Sequence, residues 1–200
     1  MSTEQFYRFL YLVVWPFFNL FHPVRTVGRE HIPEGAAVIC PNHTALSDPF
    51  FVAFAFQKKN PLRVMAKIQL MRVPVIGWLL GKAGIFGVDR GHADMHAAKT
   101  ALRCLKEGHK LLIFPEGTRV KEGNVEAKSG AAMMALRTHS PVLPVYITPG
   151  RKAFRGCTVT FGKPFLLPQP AKADAEAYKE GAEHIMDCVE QLGKEVARCG

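Results

Sequence analysis

Cysteine pairs are missing from this 200-residue sequence, whose five cysteines are widely spaced and never form a C-x-x-C pair. Disulfide frameworks and zinc knuckles use cysteines that are even in number or closely spaced. The odd number and wide spacing disfavour both classes and indicate a reducing compartment. We therefore expect a cytoplasmic location.

Acidic residues are also few. Asp and Glu together number 17 against 26 Lys and Arg, which gives a formal net charge of +9. This excess favours an anionic partner, such as an anionic membrane, a phosphorylated substrate, an acidic carrier protein or nucleic acid. With 48% hydrophobic residues and no repeat or low-complexity tract, the composition is typical of one globular domain.

A long hydrophobic run is the third missing feature. A membrane-spanning helix needs about 20 apolar residues. The uncharged run over residues 9–21 is shorter than that, and Pro16 interrupts it. The chain opens without the basic start and small-residue cleavage site of a secretory signal. Tyr11 and Trp15 are residue types that favour the lipid headgroup boundary. We interpret residues 1–23 as a helical segment that lies on a membrane, with a helix packed on the core as the alternative.

Short apolar runs alternate with helical patterns along the rest of the chain, which predicts an α/β layer fold. Strands are predicted at residues 24–27, 36–40, 62–66, 85–88, 111–114, 142–147 and 158–161. Helices are predicted at residues 49–56, 93–106, 128–138 and 173–196. Polar clusters at residues 42–48, 89–91 and 115–119 follow three of these strands. Because binding groups gather at the carboxyl edge of such sheets, we expect the clusters to form one site.

His43 and Asp48 are the candidate catalytic pair. A histidine acts as a general base when one ring nitrogen is free and a partner holds the other. The tight loop between the two residues lets the Asp48 carboxylate reach the Nδ1 hydrogen of His43. No serine or cysteine lies in a nucleophile elbow, so the nucleophile would be a hydroxyl of the substrate. The alternative is that Asp48 caps a helix and His43 is an ordinary loop residue.

Two further segments suit a phosphate or an oxyanion. Gly117 frees backbone amides at a strand end, and Thr118 and Arg119 follow it with a hydroxyl and a guanidinium. Arg90 ends another predicted strand, and Lys67 is among the basic residues nearby in the sequence. The alternatives are an ordinary turn with an exposed ion pair and a purely structural salt bridge.

In this order, the motifs resemble those of the glycerolipid acyltransferase family, in particular its bacterial 1-acyl-sn-glycerol-3-phosphate acyltransferases. The matching segments are Asn42-His43-x4-Asp48, residues 84–90 (GIFGVDR), residues 114–119 (FPEGTR) and residues 142–145 (VLPV). The resemblance implies a single mixed sheet flanked by helices, with residues 24–200 as the acyltransferase domain. It also implies His43 as the base with Asp48 as its partner, phosphate recognition by Arg90 and the segment Glu116, Gly117, Thr118 and Arg119, and a proline-containing strand around Pro144 near the site.

The implied reaction moves an acyl chain from acyl-CoA or acyl-carrier protein to the sn-2 hydroxyl of lysophosphatidic acid, which gives phosphatidic acid. We expect no metal or other cofactor, no nucleic-acid partner, and peripheral or monotopic attachment at the cytoplasmic side of the cell membrane. The alternatives are another lysolipid or glycerol 3-phosphate as acceptor, and a non-catalytic basic module that binds membrane or nucleic acid. Gly87 departs from the family pattern and should loosen a turn there.

Three other patterns are weaker. Residues 77–83 superficially resemble a nucleotide phosphate loop, but one residue is missing between the glycines and Ala83 replaces the required hydroxyl residue. The apolar residues 73–80 would cover an acyl tunnel, touch lipid or pack in the core. His92 and His96 have zinc-like spacing without a third ligand, which favours an exposed helix start. The basic residues 151–155 would bind lipid headgroups or an acidic carrier, or form a solvated loop.

Overall fold

The computed structural model describes residues 1–89, 94–117, 128–150, 154 and 156–199. Seven strands of this part form one sheet: β1 (Val24–Val27), β2 (Ala37–Pro41), β3 (Leu62–Lys67), β4 (Ile85–Val88), β5 (Lys110–Leu112), β6 (Val142–Ile147) and β7 (Cys157–Phe161). Their order is β1-β7-β6-β2-β5-β3-β4. The β6–β7 pair is antiparallel and every other neighbouring pair is parallel. The mixed sheet expected from the resemblance is therefore confirmed.

Seven helices of the described chain surround the sheet. They are α1 (Thr3–Phe21), α2 (Asp48–Phe56), α3 (Ile68–Met71), α4 (Ile76–Lys82), α5 (Met95–Lys106), α6 (Gly130–Thr138) and α7 (Ala175–Cys199). A 3-10 turn at Arg29–His31 follows β1. None of these helices combines the length and the hydropathy that a bilayer crossing requires.

The sheet separates two hydrophobic cores because successive strand residues point to opposite faces. On one face, Ile39 and Leu112 pack with Phe51 of α2 in the first core. On the other face, Val38 and Leu111 pack with residues of α5, α6 and α7 in the second core. Helix α1 lies outside α2, since Trp15 and Phe18 contact the ring of Phe54. The order from one side of the molecule to the other is therefore α1, α2, sheet, and the layer of α5, α6 and α7.

The parallel strands β2, β3, β4 and β5 end at the same edge of the sheet. The polar segments that follow these strands are consequently brought to one side, as their position in the sequence predicts. His43 and Glu116 lie in the segments that follow the central strands β2 and β5, and Lys67 ends β3.

Helices α3 and α4 were not expected from the sequence. They are short, and glycines set how they pack. A Cβ on Gly77 would overlap the main-chain carbonyl of Met71, so only glycine lets α4 approach α3 this closely. Gly87 lies inside β4, opposite Ala66, and not in a loose turn. A Cβ there would overlap Ile68, which shows that Gly87 admits α3 against the sheet.

Candidate functional site

The site is built around one buried carboxylate. Asp48 is fully buried at the start of α2, and its Oδ2 lies 2.9 Å from His43 Nδ1. The same oxygen accepts hydrogen bonds from the main-chain N–H groups of Thr44 (2.7 Å) and Ala45 (2.8 Å). The carboxylate therefore turns back into the loop that precedes α2, where it fixes both the loop and the imidazole.

This contact sets the tautomer of His43. A carboxylate that already accepts two N–H groups calls for a third donor, so Nδ1 carries the hydrogen and Nε2 carries the lone pair. Nε2 makes no hydrogen bond with the residues that the structure describes. It is the nitrogen left to accept a proton from a substrate.

Two neighbours hold the imidazole and its loop in place. The ring of Phe114 stacks on the ring of His43 with 4.0 Å between centroids and an angle of 28°. Asn42 exchanges two hydrogen bonds with the main chain of Ile147 at the end of β6: its Nδ2 donates to the carbonyl at 3.0 Å, and its Oδ1 accepts from the N–H at 2.7 Å. The loop after β2 is thus tied to the strands on both sides of it.

Glu116 reaches the same loop from β5. It is 6% exposed, and its two carboxylate oxygens accept the main-chain N–H of His43 at 3.1 and 3.2 Å. Burial raises the pKa of Glu116 to about 7, the hydrogen bond from His43 opposes this rise, and the negative charges of Asp48 and Glu190 add to it. In the structure the Glu116 carboxylate faces the backbone of His43. The expected part of Glu116 in phosphate recognition stays a prediction.

The remaining predicted residues divide into two groups. Gly117 makes a turn with φ of +66°, and its N–H donates to the carbonyl of Phe114 at 3.0 Å. Lys67 is exposed at the end of β3, on the same edge of the sheet as His43. Arg90, Thr118 and Arg119 lie outside the described residues, as do His92 and residues 151–153 and 155. For Arg90, Thr118 and Arg119 the assignment to phosphate recognition stays a prediction.

The geometry supports proton abstraction by an oriented imidazole. Within the described ranges, no group of three His, Cys, Asp or Glu side chains could hold a metal ion.

Asp94, which lies between His92 and His96 in the sequence, accepts the N–H of Ala97 at 2.9 Å and so caps α5. Main-chain hydrogen bonds to its carboxylate, first that from Ala97 and then that from Asp89, lower the pKa of Asp94. This cap agrees with the exposed helix start that the sequence favours for this segment.

Sequence reasoning did not assign roles to Asn42 and Phe114. Asn42 stands beside His43 in the motif, and an amide directly after a strand is a signal for a side chain that binds a neighbouring strand. The stacking of Phe114 on His43 has no comparable signal, because it depends on β5 lying next to β2.

The segment that carries this site is similar to known acyltransferases. A family model described as Acyltransferase matches residues 23–148, a range that contains His43, Asp48 and Glu116. A 1-acyl-sn-glycerol-3-phosphate acyltransferase of Pseudomonas aeruginosa is 36% identical over 122 residues, which are 59% of this chain and 46% of that protein. A protein of the same name from Streptococcus pneumoniae is 27% identical over 205 residues, covering 97% of this chain and 75% of the relative.

A solved structure is similar over nearly the whole chain. The crystal structure of the 1-acyl-sn-glycerophosphate acyltransferase PlsC from Thermotoga maritima matches with a TM-score of 0.65 and 27% identity, over 96% of this chain and 78% of that one. The chain spans about half the length of the relatives from Pseudomonas aeruginosa and Borreliella burgdorferi, at 46% and 48%.

Proposed function

Because this chain belongs to the acyltransferase family, we propose that it transfers an acyl chain from acyl-CoA or acyl-carrier protein to the sn-2 hydroxyl of lysophosphatidic acid. The product is phosphatidic acid. The observation that carries the proposal is the 2.9 Å contact between His43 Nδ1 and the buried Asp48 carboxylate, which leaves Nε2 as a base. The names of the relatives from Pseudomonas aeruginosa and Streptococcus pneumoniae support the choice of acceptor.

The reaction needs one proton to move twice. Nε2 of His43 takes the proton of the sn-2 hydroxyl while the oxygen attacks the thioester carbonyl carbon, and Asp48 stabilises the imidazolium that forms. The tetrahedral intermediate then breaks its C–S bond, and the departing thiolate takes the proton from His43. Such a base contributes about 10²- to 10⁴-fold to the rate. The two substrates supply every atom, so no further cofactor is required.

The hydrogen bonds of the loop limit which groups can stabilise the oxyanion. The N–H of His43 is bound to Glu116, and those of Thr44 and Ala45 are bound to Asp48. The N–H of Gly117 is bound to a carbonyl. Since stabilisation requires donors aimed at the developing charge, these four amides do not serve unless the loop rearranges.

Cations at the same edge would hold the phosphate of the acceptor. Lys67 is exposed there, and Arg90 and Arg119 follow β4 and β5 in the sequence. A phosphomonoester carries nearly two negative charges, which two or three converging cations would match. Binding the phosphate at a fixed place would bring the sn-2 hydroxyl to Nε2 of His43.

We further propose that the outer face of α1 lies in the headgroup layer of a membrane. This face consists of Phe9, Val13, Phe17 and Leu20, all exposed, while the opposite side of α1 packs on α2. Because one side of α1 already packs on α2, its apolar outer side needs another apolar environment, such as a membrane. Trp78 of α4 extends the surface, because it is 60% exposed and its ring contacts Phe6 edge-on.

Exposed cations lie on α1 and α4, the helices that carry this apolar surface, and between α3 and α4. They are Arg8 on α1, Arg72 between α3 and α4, and Lys82 at the end of α4. Cations beside an apolar helix face favour anionic lipid headgroups, which are abundant on the cytoplasmic side of cell membranes. The proposed attachment is therefore peripheral or monotopic, on that side.

Replacing the base tests the enzymatic function. In His43→Ala, transfer of a palmitoyl chain to lysophosphatidic acid should fall by about 10²-fold or more, because the hydroxyl loses its proton acceptor. His96→Ala, which removes an exposed imidazole from α5, is the matched control and should keep wild-type activity. Product formation is measured with palmitoyl-CoA and with palmitoyl-acyl-carrier protein.

Three outcomes would contradict the proposal. Unchanged activity in His43→Ala would remove the imidazole from the mechanism. Acylation of another lysolipid or of glycerol 3-phosphate, with lysophosphatidic acid ignored, would show that the acceptor is wrong. A protein that transfers nothing yet binds anionic vesicles equally well with and without His43 would be a non-catalytic membrane module.

A further inference from the structure

One exposed side of α5 carries only positive charge. Lys99, Arg103 and Lys106 are all exposed and are spaced by four and three residues, which places them on one side of the helix. We call these three residues the basic face of α5. The helix, residues 95–106, contains no acidic residue. Helix α7, in the same layer, instead mixes its cations with acidic residues, as in the pair of Lys179 with Glu183 at 4.0 Å.

The basic face borders a shallow groove of about 320 Å³. Its lining comprises the three cations, the partly buried Leu102 and Glu107. Among these described lining residues Glu107 is the one opposing charge, and its carboxylate lies 3.8 Å from His109 Nε2. None of the three cations forms an ion pair with an acidic side chain in the described chain. The groove thus offers positive charge around a small apolar contact.

The basic face points away from the proposed membrane surface. Residues of α5 pack in the core formed with Val38 and Leu111, whereas α2 packs in the core formed with Ile39 and Leu112. Helix α1 lies beyond α2. The sheet therefore stands between the outer face of α1 and α5, so a protein attached to a membrane through α1 presents the basic face to the aqueous side.

We propose that the basic face of α5 docks an acidic acyl-carrier protein that delivers the acyl chain. This inference rests on the proposed acyl transfer and selects one of its two donors. Charge complementarity supports the choice: three cations on an open surface, without an ion-pair partner among the described residues, suit the acidic side of a soluble protein.

The position of α5 relative to the site supports delivery from this face. The N–H of Asp89, directly after β4, donates to Asp94 Oδ2 at 3.0 Å, which ties the start of α5 to the edge of the sheet that carries His43. Lys99 is about 6 Å along the helix axis from Met95, and the basic face extends about 10 Å further. A partner seated on it would lie beside the site, with its thioester arm free to enter. The phosphates of coenzyme A are compact by comparison and do not require an extended open face.

Charge reversal tests the docking. In the variant Lys99→Glu, Arg103→Glu and Lys106→Glu, kcat/KM for palmitoyl-acyl-carrier protein should fall about tenfold or more, chiefly through KM. Its kcat/KM for palmitoyl-CoA should stay within about twofold of wild type. The matched control Lys172→Glu, Lys179→Glu and Lys194→Glu changes the net charge equally at exposed positions outside α5 and should leave both donors unaffected. If the reversed α5 does not fold, the three glutamine substitutions replace it.

The inference is overturned if carrier-dependent activity is unchanged, if both donors lose activity equally, or if the wild-type protein uses palmitoyl-CoA alone. Direct binding of palmitoyl-acyl-carrier protein is measured alongside by fluorescence anisotropy. Should the wild-type protein transfer from neither donor, the proposed function fails. Binding that the α5 variant abolishes would still support the docking surface, and equal binding by variant and wild type would end it.

Discussion

At the scale of single residues, the site depends on two buried carboxylates that act on one histidine from different sides. Asp48 binds the imidazole and two amides of the loop, and Glu116 binds the amide of His43 itself. Both strands that lead to these groups are central in the sheet. The ring of His43 is therefore oriented before substrate arrives, which is the condition for an efficient base.

The raised pKa of Glu116 predicts a pH-dependent stability. The folded protein holds the proton of Glu116 up to about pH 7, whereas the unfolded chain releases it near 4.5. The contribution of this group to the free energy of unfolding is therefore greatest below pH 4.5 and falls as the pH rises from 4.5 to 7. Denaturant unfolding of wild type and Glu116→Gln should show a difference that changes across this window. Exposed Glu180→Gln is the control and should show a constant difference. A constant difference for Glu116→Gln would contradict the prediction.

At the scale of elements, Gly77 determines how α4 packs against α3. In Gly77→Ala the added Cβ would overlap the backbone of Met71, which cannot move aside as a side-chain end can. We expect a loss of about 1–3 kcal/mol in the free energy of unfolding, measured in denaturant. Gly130→Ala in α6 is the matched control, because no atom of the described residues lies within 4 Å of its Cβ position, and it should be neutral or stabilising. Equal stability of both variants would show that α4 adjusts freely.

The sequence predicted the elements with strong local patterns and missed those that depend on packing. β1, β4 and β6 have the predicted bounds, and the four predicted helices are found within a few residues. α3 and α4 have too few residues for a periodic pattern, and glycine contacts determine them. The contact between His43 and Asp48 was predicted from their spacing together with the neighbouring motifs, and the structure has it. The direction of Glu116 was not predictable, because it depends on β5 lying beside β2, and strand order is not encoded in local pattern.

At the scale of the whole molecule, the apolar and the basic surfaces lie on opposite sides of the sheet. If the apolar surface is the one that attaches to a membrane, vesicle binding depends on the exposed side chains of α1. Phe17→Asp, at a side chain 69% exposed, should weaken partition into vesicles containing phosphatidylglycerol by about tenfold or more, since burying a phenylalanine contributes about 1.5–3 kcal/mol. Leu166→Asp, 65% exposed and outside α1, is the control and should bind normally. Cosedimentation with vesicles measures both, and equal binding by Phe17→Asp and wild type would exclude α1 as the attachment surface.

The pairing of β1 with β7 has a consequence for how the chain is made. Val24 pairs with Cys157, so β1 has no neighbour among the described strands until β7, far later in the sequence, has been synthesised. At about 5–20 residues per second, that interval is on the order of ten seconds. During it, β1 is an open strand next to the uncharged residues of α1, and an open apolar strand edge favours association with other nascent chains or early capture by lipid.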